Sequence, residues 1–189
     1  MFIQTEATPN PDTLKFLPGQ TVLESGVHEF TGPDSAASSP LASALFTLQG
    51  VDRVFLGTDF ISISKTPVAD WKHVKPMALA AIMDHFTSGL PVMETGAGGT
   101  TEAEIVYEGD AAEIVEEIKE LIETRVRPAV AQDGGDITFE RFYPDTGLVT
   151  LHLRGACAGC PSSTMTLKQG IENMLRHYVP EVTAVEAVN

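Results

Sequence analysis

The chain's two cysteines stand in one short run, Gly155-Ala156-Cys157-Ala158-Gly159-Cys160-Pro161, and no other thiol occurs among the 189 residues. Paired thiols can exchange with disulfides or ligate a soft metal, and the thiolate form does both. An alternating apolar run, Leu148 to Leu153, leads in, and Ser162, Ser163 and Thr164 lead out into a helical pattern. The pair is therefore expected where a strand stops and a helix starts. The first amides of a helix have no intrahelical partner and the positive end of its dipole faces outward, so that position favours thiolates. Gly155, Ala156, Ala158 and Gly159 are small, which reads as room for something bulkier than a proton.

A CxxC with no further cysteine can be a redox dithiol, half of a metal site or an incidental pair. A tetrahedral zinc or a cubane iron–sulfur cluster takes four ligands, most often thiolates. One chain supplies two, so a four-cysteine site needs two chains across a two-fold axis. A site on such a seam is open and easily split, which suits a carrier and suits a structural metal poorly. A thioredoxin-like dithiol oxidoreductase also keeps its CxxC at a helix N-terminus. Here, however, Ala158-Gly159 separates the cysteines where thioredoxins have a Gly-Pro type, and two strands precede them in place of a βαβ unit. Zinc shared by two chains suits the thiolates and leaves the small surroundings unexplained. An iron–sulfur cluster, 4Fe–4S or 2Fe–2S, uses them: glycines let backbone N–H groups approach the sulfides, and the helix N-terminus offsets negative charge. Spacing alone favours the cluster and leaves the dithiol, zinc and an incidental pair open.

Composition narrows the setting. Hydrophobic residues make up 43%, enough for a packed core. A formal charge of −14 argues against nucleic acid as partner, since phosphate binding needs a basic face. The opening Met1-Phe2-Ile3-Gln4-Thr5-Glu6 has neither basic leader nor apolar h-region, and no run of about 18 apolar residues is present. A cytoplasmic, membrane-free protein of a reducing compartment is the expectation.

The elements that must position the cysteines fall into two α+β domains. Residues 1–90 form the first, β-rich with two helices. Strands are expected at 2–7 and 14–17, an irregular Gly/Ser/Pro-rich stretch at 20–38, and a helix opening at Ser39-Pro40 with Leu41, Ala44, Leu45 and Leu48 on one face. A hairpin follows, 51–56 and 60–64 about Gly57-Thr58-Asp59. The next helix spans 71–88 on Val74, Met77, Ala78, Ala81, Ile82 and Phe86, beginning near Lys75 or kinking there because of Pro76. Residues 91–109 read as a flexible linker centred on Thr95-Gly96-Ala97-Gly98-Gly99-Thr100-Thr101, which lacks the Lys and the strand of a phosphate loop. Residues 110–189 form the second domain, α-β-β-α-β. Its first helix is capped by Asp110, with Ile114, Val115, Ile118, Leu121, Ile122 and Val126 inward and an acidic, solvated face outward. Asp133-Gly134-Gly135-Asp136 caps it, glycines taking positive φ. A hairpin, 137–143 with 148–153, a helix at about 163–178 burying Leu167, Ile171, Met174, Leu175 and Tyr178, and a strand at 182–188 complete the unit.

Two runs resemble a known family. Arg127-Pro128-Ala129-Val130-Ala131-Gln132-Asp133-Gly134-Gly135-Asp136, followed by Leu153-Arg154-Gly155-Ala156-Cys157-Ala158-Gly159-Cys160-Pro161-Ser162-Ser163, resembles the C-terminal NifU-like domain of Nfu-type iron–sulfur proteins. Thr8-Pro9-Asn10-Pro11-Asp12-Thr13-Leu14-Lys15-Phe16, Ser39-Pro40-Leu41 and Gly57-Thr58-Asp59-Phe60-Ile61 resemble that family's N-terminal domain. The resemblance implies a non-enzymatic scaffold or carrier that assembles a labile cluster, typically 4Fe–4S, bridged between two subunits, and hands it to apo-proteins. It implies Cys157 and Cys160 as the ligands, upstream cluster-assembly proteins as donors, and a bacterial cytoplasmic or processed mitochondrial matrix form.

Among other residues, His152 reads as an alternating strand position before it reads as a ligand, and His28, His73, His85 and His177 show no metal-type pairing. Asp133 to Asp136 lacks the spaced oxygen ligands of a calcium loop, and no Ser/His/Asp set stands in motif context. Nothing in the first half signals chemistry, so it is expected to recognise or handle client proteins. Neither cysteine is expected to contribute to core packing.

Overall fold

The computed structural model describes residues 2–94, 105–158 and 161–188, the side chains of 161–164 excepted. The chain divides into two compact units, 1–100 and 101–189. No described helix is long and apolar enough to cross a membrane. The centre of the expected linker, 95–104, lies outside the described residues; on either side of it, Val92 and Met93 pack against the first unit's core and Tyr107 against the second's.

The first unit is a five-stranded antiparallel sheet in the order β1-β2-β5-β4-β3, with β1 Gln4–Ala7, β2 Thr13–Leu17, β3 His28–Phe30, β4 Val51–Leu56 and β5 Ile61–Lys65. Alternation puts Phe16, Val54, Leu56, Ile61 and Ile63 in one buried cluster with Leu41, Ala42 and Leu45 of α1 (Pro40–Phe46) and Ala78 and Ile82 of α2 (Trp71–Ser88). Ser39 caps α1 by accepting the Ala42 N–H at 3.1 Å, which fits Pro40 at the first helical position. One expectation is corrected. The stretch 20–38 is not wholly irregular: β3 pairs with β4, and a 3₁₀ turn at Ser35–Ser38 buries Ala36. A three-residue edge strand is too short to display a period. Helix α2 spans Trp71–Ser88 as expected, and it starts a full turn before Lys75 because the Asp70 carboxylate accepts the Lys72 N–H at 2.9 Å and so fixes the first turn upstream of Pro76. On that helix Met77 is exposed, whereas His85 is buried.

The second unit has the expected α-β-β-α-β order: α3 Asp110–Leu121, continued by a π-helical turn Ile122–Val126 into α4 Arg127–Gln132, then β6 Gly135–Tyr143, β7 Leu148–Gly155, α5 Pro161–Tyr178 and β8 Ala184–Val188. Strands β6 and β7 are antiparallel, and β8 joins the other edge of β7 in parallel. Ile137, Val149, Leu151, Leu153 and Val185 form one core with Val115, Ile118, Ile122 and Val126 from the first helix and Ile171 and Leu175 from α5. Gly109, at φ +62°, is the cap of α3, not Asp110, which instead supplies negative charge within the first turn alongside Glu113. Tyr178, expected inside, is exposed with the Arg125 guanidinium 4.9 Å from its ring centre, and Val179 is buried at the end of α5.

The π turn was not expected. It has a local cause: in an α-helix the ring of Pro128 would run into the carbonyl of Thr124, and a widened turn relieves that clash. Accordingly the Arg127 N–H reaches back five residues, to the carbonyl of Ile122.

Candidate functional site

β7 ends at Gly155 and α5 begins at Pro161, so the connection that carries the thiols sits between a strand end and a helix start, as the sequence indicates. Gly155 adopts φ +66°, a left-handed conformation natural to glycine. The Ala158 N–H donates to the Gly155 carbonyl at 3.0 Å, closing a tight turn with Cys157 at its third position. The Ala156 N–H donates to the Gly134 carbonyl at 3.2 Å, extending the β6–β7 ladder past the end of the strand. Cys157 is thereby held against the start of β6. Cys160 lies outside the described residues.

Ala156 and Ala158 are buried, and one expectation about this loop is corrected. Cys157 is only 8% exposed and belongs to the second unit's core cluster, so it does contribute to packing. The reason is the tight turn, which packs residues 155–158 against residues 134 and 135.

Asp133-Gly134-Gly135-Asp136 is the other wall of the site. Asp133 caps α4, and Gly134 takes φ +79°, as the sequence suggested. Gly135, expected to take positive φ as well, does not, and it serves a different purpose. A Cβ there would lie 2.8 Å from the Cys157 sulfur, 2.8 Å from the Arg154 carbonyl oxygen and 3.2 Å from the Cys157 amide nitrogen. Only a glycine lets the cysteine turn pack so closely on β6.

The next residue, Asp136, faces a guanidinium. Arg127 Nε donates to Asp136 Oδ1 at 2.8 Å and Nη2 to Oδ2 at 3.1 Å, a two-point grip on a carboxylate that is 5% exposed. Nη1 donates to Glu123 Oε1 at 2.6 Å. The bond to Asp136 raises the Arg127 pKa above its usual value against the opposing effect of burial. The grip depends on the π turn, since one extra residue in a helical turn rotates all that follows by about 100°. Arg127, Gly135 and Asp136 were not foreseen as site residues. The adjacent glycines before an aspartate were the available signal, because only one of them is needed for a helix C-cap.

The remaining candidates are not assembled around the thiols. His152, paired with Thr138, alternates with the buried Leu151 and Leu153 and so lies on the opposite face of β7 from the core that holds Cys157. Among the described residues, no three of His, Cys, Asp and Glu are grouped to hold a metal ion. His85, in the first unit, is buried with no partner for Nε2 among the described residues, and burial pushes its imidazole pKa down. The chain's own donor set is thus two thiols, which fits a thiophilic cargo and supplies half of a four-thiolate shell.

Comparison with known proteins places both units. Residues 3–89 match the family model "Scaffold protein Nfu/NifU N terminal" and residues 118–186 match "NifU-like domain". The chain is similar to "NifU-like protein 4, mitochondrial" of Arabidopsis thaliana, at 49% identity over 98% of this chain and 65% of that protein. It is similar to "NFU1 iron-sulfur cluster scaffold homolog, mitochondrial" of Drosophila erecta, at 51% identity over the whole chain and 65% of that protein. The chain therefore spans about two thirds of the length of these relatives. A solved NifU-like protein from Saccharomyces cerevisiae is 26% identical over 50% of this chain and 86% of that one, with a TM-score of 0.46.

Proposed function

The chain belongs to the Nfu/NifU family of iron–sulfur scaffold proteins, and we propose that it assembles an iron–sulfur cluster as cargo between two copies of itself and passes it to apo-proteins. The observation that carries this reading is the donor count: within the family-matched second unit the only thiols are Cys157 and Cys160, on one short connection between β7 and α5. Two chains complete a four-thiolate shell, the ligand set of both 4Fe–4S and 2Fe–2S clusters, and 4Fe–4S is the cargo we propose because the family resemblance implies it. No further bond-making group is required, so the protein acts as a carrier and not as an enzyme.

Transfer is a ligand exchange. Client thiols replace Cys157 and Cys160 on the iron in turn. Each arriving client thiol gives up its proton and each departing cysteine takes one up, so charge balances and neither iron nor sulfide changes oxidation state. The adjacency of the core favours departure, because Cys157 has a buried place to return to. Upstream assembly proteins supply iron and sulfide, and the first unit, with no chemistry of its own, selects clients. The mitochondrial names of the relatives support the mitochondrial matrix as the setting; the bacterial cytoplasm is the other placement consistent with the sequence.

Anaerobic reconstitution with iron and sulfide, followed by iron and sulfide counts and the mass of the complex, tests the proposal. About two irons per chain in a dimer supports a bridged 4Fe–4S cluster, and about one supports 2Fe–2S. A monomer that takes up no iron but forms a titratable Cys157–Cys160 disulfide would overturn it in favour of dithiol chemistry.

A further inference from the structure

We propose that Gly135 and the Arg127–Asp136 ion pair are positioning residues that form a seat for the Cys157 thiol. The seat has a floor and a clamp. The floor is Gly135, paired across the ladder with Gly155 and so close to the cysteine turn that a Cβ would stand 2.8 Å from the sulfur. The tie between floor and turn is the Ala156 N–H bond to the Gly134 carbonyl. The clamp is the two-point grip of Arg127 on Asp136, the residue directly after the floor.

A guanidinium is required for this. Its planar fork meets both carboxylate oxygens at once, whereas an ammonium is a point charge and fixes no orientation. The carboxylate it holds is buried, so loss of the fork leaves Asp136 under-satisfied and loosens the 133–136 turn on which Cys157 rests. The π turn presents Arg127 to Asp136, and such insertions in helices are often found where a functional side chain must be re-aimed. The seat fixes where the sulfur starts from when it engages cargo and where it returns after transfer. This rests on the reading of Cys157 as a cargo ligand, as residues behind a metal ligand commonly set its orientation.

The test uses the full-length apo chain. Iodoacetamide labelling, quenched at intervals and resolved by peptide mass spectrometry, gives separate rates for Cys157 and Cys160. In Arg127→Lys, which keeps the charge and loses the fork, Cys157 should label about tenfold faster or more, the change expected when a buried charge-assisted contact no longer opposes local opening. Cys160 should change less. Arg127→Ala should exceed Arg127→Lys, and Gly135→Ala should also expose Cys157. After reconstitution, Arg127→Lys should lose iron to a chelator about 10–100-fold faster than the parent chain. Should Arg127→Ala fail to fold, Arg127→Lys decides alone. A lowered thermal midpoint in Arg127→Lys with Cys157 labelling and iron loss unchanged would show a structural ion pair only and overturn the seat. If the parent chain takes up no iron, the carrier reading fails while the labelling rates still decide whether the seat exists.

Discussion

Removing the Cys157 thiol should weaken the second unit as well as its cargo site, and serine should do so more than alanine. The sulfur is part of the core cluster, 8% exposed, and sits against Gly135 and the ends of β6 and β7. Cys157→Ala removes one buried sulfur and leaves a small void, costing about 1 kcal/mol. Cys157→Ser also loses volume, since oxygen is smaller than sulfur, and in addition introduces a hydroxyl that must be desolvated, at about 1–3 kcal/mol. For a unit of this size 1 kcal/mol moves the Tm by about 4–8 °C, so the serine variant should melt about 4–24 °C below the parent. A domain stable by about 5–15 kcal/mol still folds at 25 °C after such a loss. The chain carries its own control: its single tryptophan, Trp71, lies in the first unit, whereas its three tyrosines, Tyr107, Tyr143 and Tyr178, lie in the second. Urea unfolding of apo protein, followed by Trp71 emission and by helical circular dichroism, should leave the tryptophan midpoint in place and lower the other. If both variants unfold with the parent's midpoint by both probes, Cys157 is not seated in the core, and the reasoning about the loop fails. If the prediction holds, iron loss in Cys157→Ser combines lost ligation with lost packing, and Cys157→Ala is the cleaner test of ligation.

Gly147 closes the β6–β7 hairpin at φ +68°, and a Cβ there would run into the Glu181 carbonyl oxygen, an atom that cannot rotate away. Gly147→Ala should therefore cost the second unit about 2–3 kcal/mol, read as a lower urea midpoint by circular dichroism. The Tyr107 hydroxyl accepts the Phe142 N–H at 2.9 Å and donates to its carbonyl at 3.2 Å, covering the edge of β6 just after its bulge. Tyr107→Phe should cost about 1–2 kcal/mol and speed hydrogen exchange at the Phe142 amide, whereas unchanged exchange there would remove Tyr107 from this role. Burial lowers the His85 pKa below its unfolded value of 6.5, so the folded unit resists a proton that the unfolded chain accepts. The stability this contributes is whole above about pH 6.5 and is lost progressively as pH falls below it. Urea titrations monitored at Trp71 should show a steeper loss between pH 7.5 and pH 5 in the parent than in His85→Leu; equal slopes would mean that His85 takes up its proton without penalty.

Most of the architecture was legible because it is written in periods. The alternation of Leu148 to Leu153 and the 3.6-residue spacing of Val115, Ile118 and Ile122 need no tertiary information. What escaped notice lacked a period or depended on distant chain. Strand β3 is three residues long and exists because β4 offers it an edge. Spacing alone points Tyr178 inward, whereas the structure buries Val179 instead and leaves Tyr178 beside Arg125. The thiol pair was legible by counting, together with its placement before α5. Its seat was not, because the contact of Gly135 with Cys157 spans most of the hairpin and appears only when β6 and β7 have paired.

The π turn shows how a local conflict becomes a site property. Pro128 cannot sit in an uninterrupted α-helix without displacing the Thr124 carbonyl. Widening the turn removes that conflict at a single place, recorded in the Arg127 N–H bond to Ile122. The rotation that results carries the Arg127 fork to Asp136, while Nη1 still reaches Glu123. Glu123 is a solvent-exposed partner and contributes little energy. Asp136 is the buried one, and its carboxylate would be costly without the fork. The widened turn and the ion pair therefore depend on each other: without the turn the buried carboxylate has no partner, and without the carboxylate the turn has only the relief of Pro128 to sustain it. Both act on the segment that ends at Gly135, which is how a proline far from the thiols in sequence reaches the position of Cys157.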